Sequence, residues 1–255
     1  MTPTHATQSH ITPSHITNIW AIVPAAGIGR RMETSIPKQY LSLNGRPVLE
    51  HTLLRLASHP NLRAIVVAIA PHDEWWSTLS PDTDLPILSV PGGNERCHSV
   101  SNALDRLSRD PEIGARQDDW VLVHDAVRPC VRNTDIRHLV TRLSDHPVGG
   151  LLGIPVRDTI KHAGPGGDII RTVDRQGLWH ALTPQLFRLG KLSQALTHCI
   201  GRGILVTDEA QAMELNHYSP RMVEGHGDNI KITRPHDLAL AERYLKNQAI
   251  ESNSA

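Results

Sequence analysis

Aromatic residues are scarce in this chain of 255 residues, which holds five Trp, three Tyr and one Phe. A core built from this sequence must therefore consist mainly of Leu, Ile, Val and Ala. An excess of one charge is also lacking, since 26 basic residues balance 26 acidic ones. Domains that bind nucleic acid normally carry a basic excess, and extensive disorder normally goes with a high net charge. We therefore expect a globular protein that does not bind nucleic acid.

Long hydrophobic runs and paired cysteines are missing as well. No stretch of 18 apolar residues occurs, so we expect no membrane-spanning segment. The first 17 residues lack the basic residues and the apolar block that signal peptides contain. Cys97, Cys130 and Cys199 are far apart and odd in number, which argues against a disulfide framework or a zinc ribbon. These absences favour a protein of the cytoplasm.

Apolar segments alternate with amphipathic ones along most of the chain. Strands are expected near residues 19–23, 62–70, 87–90, 120–124, 150–156, 221–224 and 229–233. Helices are expected near residues 48–56, 99–107, 134–143, 189–199, 208–216 and 235–245. Strands that are apolar throughout and alternate with helices predict an α/β fold, in which helices cover both faces of a mostly parallel sheet.

The domain organisation follows from where this alternation stops. Residues 158–174 surround the turn AGPGGD and predict a β-hairpin that projects from the sheet. We expect one domain over residues 19–248, with this hairpin inside an arm at about residues 157–184. The polar residues 1–18 are predicted to be a disordered tail, and residues 249–255 a flexible C-terminal tail.

The first predicted strand runs into the loop PAAGIGRRM at residues 24–32. Small residues let backbone N–H groups approach a phosphate closely, and Arg31 and Lys38 add cations that suit a polyphosphate. The spacing fits neither the Walker A pattern nor the dinucleotide fingerprint, because no Gly-Lys pair follows and Met32 replaces the third glycine. The alternative is an ordinary strand-to-helix turn, but a turn alone does not call for several cations.

Two further loops follow predicted strands. The segment GGNERCHSV at residues 92–100 is either a turn in which Ser99 or Asn94 is the helix N-cap, or a loop in which the backbone and Ser99 read the polar edge of a base. In WVLVHDAVRPC at residues 120–130, Asp125 suits a divalent metal and Arg128 an anion, at the carboxyl end of a strand. The alternative is an Asp–Arg pair that braces the loop. His124 is interpreted as a packed strand residue.

Lys231 is one of few lysines and stands inside the apolar segment NIKIT. A buried lysine needs a partner, and a bound phosphate would be a suitable one. The alternative is a lysine at a strand edge whose ammonium group reaches water. Asp208 and Glu209 are interpreted as structural, since acids stabilise a helix N-terminus. Cys130 has no evident base beside it, so no thiol nucleophile is proposed.

Taken in order, these motifs resemble a known family. PAAGIGRRM, PKQYL, GGNERCHSV, HDAVRP, PVRDTIK, TVDRQGLWHALTPQ, TDEAQAMEL and DNIKITRP together resemble the 2-C-methyl-D-erythritol 4-phosphate cytidylyltransferases of the non-mevalonate isoprenoid pathway. The resemblance covers about residues 19–245. It implies a Rossmann-like nucleotidyltransferase fold and a homodimer whose arms share the active sites. It also implies CTP and methylerythritol phosphate as substrates, with Mg²⁺ held mainly by the CTP phosphates and by Asp125 as the protein ligand.

The resemblance also implies roles for individual residues. The residues that would bind CTP are Pro24, Ala25, Ala26, Gly27, Gly29, Gly93, Asn94, Ser99, Asp125 and Ala126. The residues that would act on the reacting phosphates are Arg31, Lys38 and Lys231. Those that would bind methylerythritol phosphate are Asp125, Arg128, Thr159, Arg175 and Thr183. Asn94 departs from the family pattern, in which an acid is common at this position.

Two other functions compete with this interpretation. The first is a sister enzyme that acts on ribitol 5-phosphate or another polyol or sugar phosphate, and the region around Thr159 and the arm would distinguish it. The second is a regulator that binds a nucleotide without turnover. Such a protein would be expected to have lost at least one of the basic residues named above, yet Arg31, Lys38, Arg128 and Lys231 are all present.

Overall fold

The computed structural model describes residue 16, residues 18–27 and residues 36–253. Its strands are β1 (Ile19–Pro24), β2 (Ser42–Leu43), β3 (Arg46–Pro47), β4 (Leu62–Ile69), β5 (Ile87–Pro91), β6 (Trp120–Val123), β7 (Gly149–Pro155), β8 (Ile160–Ala163), β9 (Ile169–Val173), β10 (Trp179–Arg188) and β11 (Arg221–Glu224). Its helices are α1 (Val48–Ala57), α2 (Arg96–Arg109), α3 (Asn133–Leu143), α4 (Leu189–Gly201), α5 (Glu209–Leu215) and α6 (Pro235–Asn253). Short 3-10 turns lie at Lys38–Tyr40 and Trp76–Thr78.

A seven-stranded sheet forms the centre of the fold, in the order β11-β7-β10-β6-β1-β4-β5. Strands β6, β1, β4 and β5 are mutually parallel, and β11 is parallel to β7. The expected α/β fold with a mostly parallel sheet is confirmed. Because β1, β5 and β6 are parallel, the loops that follow them leave the sheet at the same edge.

Alternate residues of the central strands pack on opposite faces of this sheet. Trp20 and Ile22 of β1 belong to a cluster that also contains residues of α2, α4 and α5. Ile19 and Ala21 belong to a second cluster, which contains residues of α1 and α3. A third, smaller cluster joins α6 to the start of α1 and to the loop after β6. Strands covered on both faces explain why their sequences are apolar throughout.

Strand β10 was not predicted from the sequence. It pairs antiparallel with β6 on one side and with β7 on the other, and it is the only antiparallel member among the described strands of the large sheet. Its first half contains polar residues, and its register shifts between Ala181 and Gln185. An antiparallel strand of mixed polarity lacks the apolar run that identified the other strands.

The predicted hairpin is present as a separate two-stranded sheet of β8 and β9, paired antiparallel from Ile160 opposite Val173 to Ala163 opposite Ile169. Its strands are mostly exposed. The strand predicted at residues 229–233 does not form, and this segment is a loop between β11 and α6. The prediction was wrong because the apolar side chains there pack against the loop after β6 and against α6, which needs no strand pairing.

The ends of the chain differ from the expected tails where they are described. Ile16 is buried, and its carbonyl accepts a 2.6 Å hydrogen bond from the Asn61 side chain. Helix α6 continues to Asn253, through a segment predicted to be flexible. Within the described residues, no helix is long and apolar enough to cross a membrane.

Candidate active site

Three loops meet at the edge of the sheet where β1, β5 and β6 end, and they enclose a cavity of about 280 Å³. Ligands of open α/β sheets bind at this edge, outside the carboxyl ends of the strands. The cavity is lined by Pro24, Ala25, Ala26, Gly27, Lys38, Gln39, Gly93, Asn94, Glu95, Arg96, Ser99, Asp125, Ala126, Val127 and Lys231. Most of the residues predicted to bind nucleotide or phosphate are therefore together.

The loop after β1 is fixed by hydrogen bonds at its start. The N–H group of Ala25 donates to the carbonyl of Ala68, and the buried Gln39 side chain donates to the carbonyl of Ala25 at 2.7 Å. A Cβ atom on Gly27 would meet no described atom within 4 Å. Among the described residues, nothing therefore blocks the approach of a ligand to its backbone. Of the other predicted residues here, Gly29 and Arg31 lie outside the described residues.

The loop after β5 packs tightly against the loop after β1. A Cβ atom on Gly92 would lie 2.3 Å from the Cβ atom of Ala26, so this contact requires glycine. The Ser99 hydroxyl accepts a hydrogen bond from the N–H of Gly93 at 3.1 Å and contacts the carbonyl of Glu95 at 3.3 Å. Glu95 is the N-cap residue of α2, so the alternative that Ser99 or Asn94 caps the helix is wrong.

Asp125 follows β6 and is the centre of a charge cluster. Its Oδ1 atom lies 3.2 Å from Nε of Arg96, and its Oδ2 atom lies 3.2 Å from Nε of Arg128 and 3.0 Å from Nζ of Lys231. The Asp–Arg pair is real, but it belongs to a larger set, of which Asp125, Arg96 and Lys231 line the cavity while Arg128 is buried behind it. In this one cluster, Arg128 braces the loop through Asp125, while Arg96 and Lys231 face the cavity, where a ligand can reach them.

Two hydrogen bonds, one between backbone groups and one from a side chain to a backbone carbonyl, bring Lys231 to this cluster. The N–H of Ile232 donates to the carbonyl of Val127 at 2.9 Å, and Nη1 of Arg128 donates to the carbonyl of Asn229 at 2.7 Å. The Lys231 side chain is 38% exposed, so it is not the buried strand lysine that the sequence suggested. It pairs with a carboxylate and still reaches the open cavity.

The cations around Asp125 keep it ionised. Burial raises the pKa of this carboxyl, but the charges of Arg96, Lys231 and Arg128 outweigh burial and hold the pKa well below its usual range. Burial lowers the pKa of Arg128, and Asp125 counteracts this effect. The site thus holds fixed charges of both signs, with the cationic groups in excess.

Arg96 and Glu209 are functional candidates that sequence reasoning missed. Arg96 is in the first turn of α2 and lines the cavity, and its guanidinium donates to both carboxylate oxygens of Glu209 at 2.7 and 3.0 Å. Burial lowers the pKa of Arg96, but Glu209 and Asp125 together raise it above its usual value. The available signal was an arginine in the strand-to-helix segment GGNERCHSV, close behind a predicted strand. Glu209, interpreted as a helix-dipole residue, pairs with it across the fold.

His124 is a packed residue, as predicted, and it has a defined tautomer. Nε2 lies 3.1 Å from the carbonyl of Arg128, which can only accept, so Nε2 carries the proton. Nδ1 then accepts from the Thr183 hydroxyl at 2.9 Å, and that hydroxyl accepts from the N–H of Asp125 at 3.1 Å. Burial lowers the pKa of His124 to about 4, so the ring is neutral at pH 7.

The remaining predicted substrate residues lie apart from the cavity. Thr183 is buried behind Asp125, while Thr159 and Arg175 are exposed at the base of the arm and do not line the cavity. The Arg175 guanidinium donates to the carbonyl of Arg157. Within one chain, the arm residues are therefore not part of the pocket.

Other polar or reactive side chains lie outside this cavity. A larger groove of about 600 Å³ lies beside β5 and α2, but its arginines are paired with aspartates of the same segment, Arg106 with Asp110 and Arg109 with Asp105. Among the described residues, no group of three or more His, Cys, Asp or Glu side chains could hold a metal ion. The three cysteines are buried and unpaired, and burial raises the pKa of Cys130 to about 12.

Comparison with known proteins identifies the family. The family model described as IspD, 2-C-methyl-D-erythritol 4-phosphate cytidylyltransferase, matches residues 19–247. The chain belongs to this family. A cytidylyltransferase of this name from Pseudomonas entomophila is 51% identical over 219 residues, which are 86% of this chain and 92% of the relative. One from Vibrio vulnificus is 48% identical over 233 residues, 91% of this chain and 97% of the relative.

Solved structures of the IspD family share the fold. The crystal structure of the Francisella tularensis enzyme matches with a TM-score of 0.76 and 38% identity, over 89% of this chain and 99% of that one. A crystal structure of a 4-diphosphocytidyl-2C-methyl-D-erythritol synthase matches with a TM-score of 0.77 and 33% identity, over 89% and 99% of the two chains. The resemblance found in the motifs is thereby confirmed, together with the nucleotidyltransferase fold.

Proposed function

We propose that this protein transfers CMP from CTP to the phosphate of 2-C-methyl-D-erythritol 4-phosphate, releasing pyrophosphate. The observation that carries the proposal is the convergence of Lys231, Arg128 and Arg96 on Asp125, beside the Ala25–Gly27 loop. A glycine- and alanine-rich loop next to several cations suits a polyphosphate and a second anionic substrate. Membership of the IspD family supports the choice of both substrates.

The proposed chemistry requires charge rather than a general base. A phosphate monoester has a second pKa near 6, so it is largely dianionic at pH 7 and is itself the nucleophile. One of its oxygens forms a bond to the α-phosphorus of CTP, and the bond from that phosphorus to the bridging oxygen breaks. Repulsion between the two anions and the charge that gathers on the α-phosphoryl oxygens are the obstacles. Lys231 and Lys38, with Arg31 from outside the described residues, offset both.

The structure gives neither a general base nor a thiol nucleophile at His124 or Cys130. His124 is neutral, buried and hydrogen-bonded through both ring nitrogens, so it has no free position for a substrate proton. The Cys130 thiol is buried, and its raised pKa keeps it protonated. Direct attack by the substrate phosphate agrees with both observations.

A divalent cation fits the site as a partner of the nucleotide. Mg²⁺ usually takes one or two carboxylates together with substrate phosphates and water, and Asp125 is the carboxylate on the cavity wall that would hold it, while Glu95 is exposed. The ion supplies positive charge against the phosphate oxygens. Because both oxygens of Asp125 already contact cationic side chains, CTP would provide most of the ligands.

A homodimer with shared sites is part of the proposal. Ile169 and Ile170 on β9 are 65% and 63% exposed, an unusual position for two adjacent large apolar side chains. Two-stranded hairpins bury little surface on their own, so a second copy of the chain is the proposed cover. Thr159 and Arg175 would then face the partner's cavity. The proposed location is the cytoplasm, without membrane or nucleic-acid partners.

The test is pyrophosphate release measured over a panel of nucleotides and polyol phosphates. We expect turnover with CTP and methylerythritol 4-phosphate together, and none when either is omitted. Faster turnover with ribitol 5-phosphate would favour the sister enzyme. Faster turnover with UTP or ATP would contradict the nucleotide assignment, and binding of CTP without any turnover would favour the regulator.

A further inference from the structure

Glu209 is a buried carboxylate outside the cavity wall. It is 1% exposed and begins α5. A carboxylate in such a place is costly unless it is paired, and both of its oxygens accept hydrogen bonds from Arg96, at 2.7 and 3.0 Å. This two-pronged contact fixes the plane of the guanidinium as well as its position. Arg96, unlike Glu209, lines the cavity.

The third contact of the guanidinium connects Glu209 to the proposed reaction. Nε of Arg96 lies 3.2 Å from Oδ1 of Asp125, while Oδ2 of Asp125 is shared by Arg128 and Lys231. The two oxygens of one carboxylate are thus divided between different cations. Since Glu209 accepts one N–H from Nη1 and one from Nη2, the orientation of the guanidinium is fixed, and in this orientation Arg96 reaches Asp125 through Nε.

The position of Glu209 is set by the sheet and not by the cavity. Gln185 of β10 accepts a hydrogen bond from the N–H of Ala210 at 2.8 Å and donates to Oδ2 of Asp208 at 2.9 Å. Asp208 in turn caps α5 by accepting from the N–H of Gln211 at 2.9 Å. The start of α5 is therefore attached to a central strand on both sides of Glu209.

We propose that Glu209 is a positioning residue for the transfer reaction, which holds Arg96 so that Oδ2 of Asp125 stays directed at Lys231 and Arg128. Without the Glu209 carboxylate, the guanidinium is free to form its own two-pronged pair with Asp125. Both oxygens of Asp125 would then be engaged by Arg96, and Lys231 would lose the contact that places it at the cavity. The inference rests on the function proposed above.

The first experiment compares Glu209→Gln with Glu214→Gln. Glu214 is an exposed acid on the same helix, so the control removes the same charge outside the network. For Glu209→Gln we expect kcat/KM for methylerythritol phosphate to fall about tenfold or more, because the loss of one charged hydrogen-bond partner typically has an effect of this size. The KM for that substrate should rise, while the KM for CTP should stay within about twofold. A loss of folded protein alone would change neither KM.

The second experiment combines Glu209→Gln with Arg96→Gln in a double-mutant cycle. If Glu209 acts through Arg96, its substitution should reduce kcat/KM by less than about twofold once Arg96 is replaced. Glu209→Asp, which keeps the charge, should recover part of the activity if Glu209→Gln proves unstable. Equal losses in both backgrounds, or kinetics of Glu209→Gln that match Glu214→Gln, would overturn the inference. If the wild-type protein is also inactive, the proposed function has failed instead.

Discussion

The Nζ atom of Lys231 lies 3.0 Å from Oδ2 of Asp125, although the two residues are on loops that follow different strands. The contact places a cation at the cavity without leaving it unpaired. A phosphate that enters the site can compete for Lys231, since the lysine side chain is flexible and partly exposed. This relationship makes Lys231 the first residue to test.

Replacement of Lys231 by alanine should lower kcat strongly. The loss of one donor to developing charge is worth roughly 2.7–4 kcal/mol, which corresponds to a factor of about 10²–10³ in kcat. The matched control is Lys246→Ala, because Lys246 is an exposed lysine of α6 that pairs with Glu242, outside the cavity, and it should retain wild-type kcat. Steady-state kinetics together with thermal melting would check both variants. Wild-type kcat in a folded Lys231→Ala variant would refute the role. Arg31→Ala should behave like Lys231→Ala.

Removal of divalent cations should stop pyrophosphate release. CTP and the phosphate nucleophile repel each other, and the cation reduces this repulsion. Dialysis against a chelator should abolish activity, and added Mg²⁺ should restore it. Asp125→Asn should need more Mg²⁺ for half-maximal rate than the wild-type protein does. Full activity in the chelated protein would contradict the proposed cofactor.

Acid should destabilise the fold through His124. Its pKa is lowered from 6.5 to about 4 by burial, so between these values the unfolded chain binds more protons than the folded one. The contribution of neutral His124 to the free energy of unfolding is therefore fully present above about pH 6.5 and is lost as the pH falls towards 4. The shift corresponds to about 3 kcal/mol. Burial also lowers the pKa values of His59 and His146, so the contribution of His124 to the pH dependence of stability has to be isolated by substitution.

Urea unfolding measured at several pH values would provide that isolation. In His124→Asn, the free energy of unfolding should depend less steeply on pH between 6.5 and 4 than in the wild-type protein, even if the variant is less stable overall. His138→Asn is a suitable control, since His138 is exposed on α3. An unchanged slope in His124→Asn would show that another group is responsible.

Mixed dimers should recover activity if the arm completes the neighbouring site. Lys38 lines the cavity, and Arg175 is exposed at the base of the arm. Lys38→Ala and Arg175→Ala should each be poor enzymes, and a mixed dimer of the two would carry one doubly damaged site and one intact site. With random pairing in a C₂ dimer, roughly a quarter of all sites would be intact.

The measurement is the activity of the two variants after they are unfolded and refolded together. Activity towards a quarter of the wild-type value supports the shared site. If verified mixed dimers show only the average of the two parents, Arg175 acts within its own chain. Ile170→Asp should also weaken the dimer in sedimentation experiments, because it places a charge on the exposed apolar face of β9.

The sequence by itself determined the parallel part of the sheet, the glycine- and alanine-rich loop and the identity of Asp125, Arg128 and Lys231. The sheet, the loop, Asp125 and Arg128 follow from local signals, since an apolar strand followed by small or charged residues indicates the ligand-binding edge of an α/β fold. Lys231 was singled out only as a rare lysine inside an apolar segment, and the strand predicted around it does not form. The sequence did not predict β10, because this central antiparallel strand has mixed polarity and lacks an apolar run.

Only the tertiary structure decided which charges meet. Arg96 and Glu209 are 113 residues apart and Asp125 and Lys231 come from different loops, so no local pattern encodes their contacts. The tautomer of His124 likewise depends on a carbonyl and a hydroxyl brought in by the fold. Burial makes an unpaired charge costly, so each of these groups requires a partner. Which partner is present depends on how α5 packs against β10 and how the Lys231 loop packs against the loop after β6.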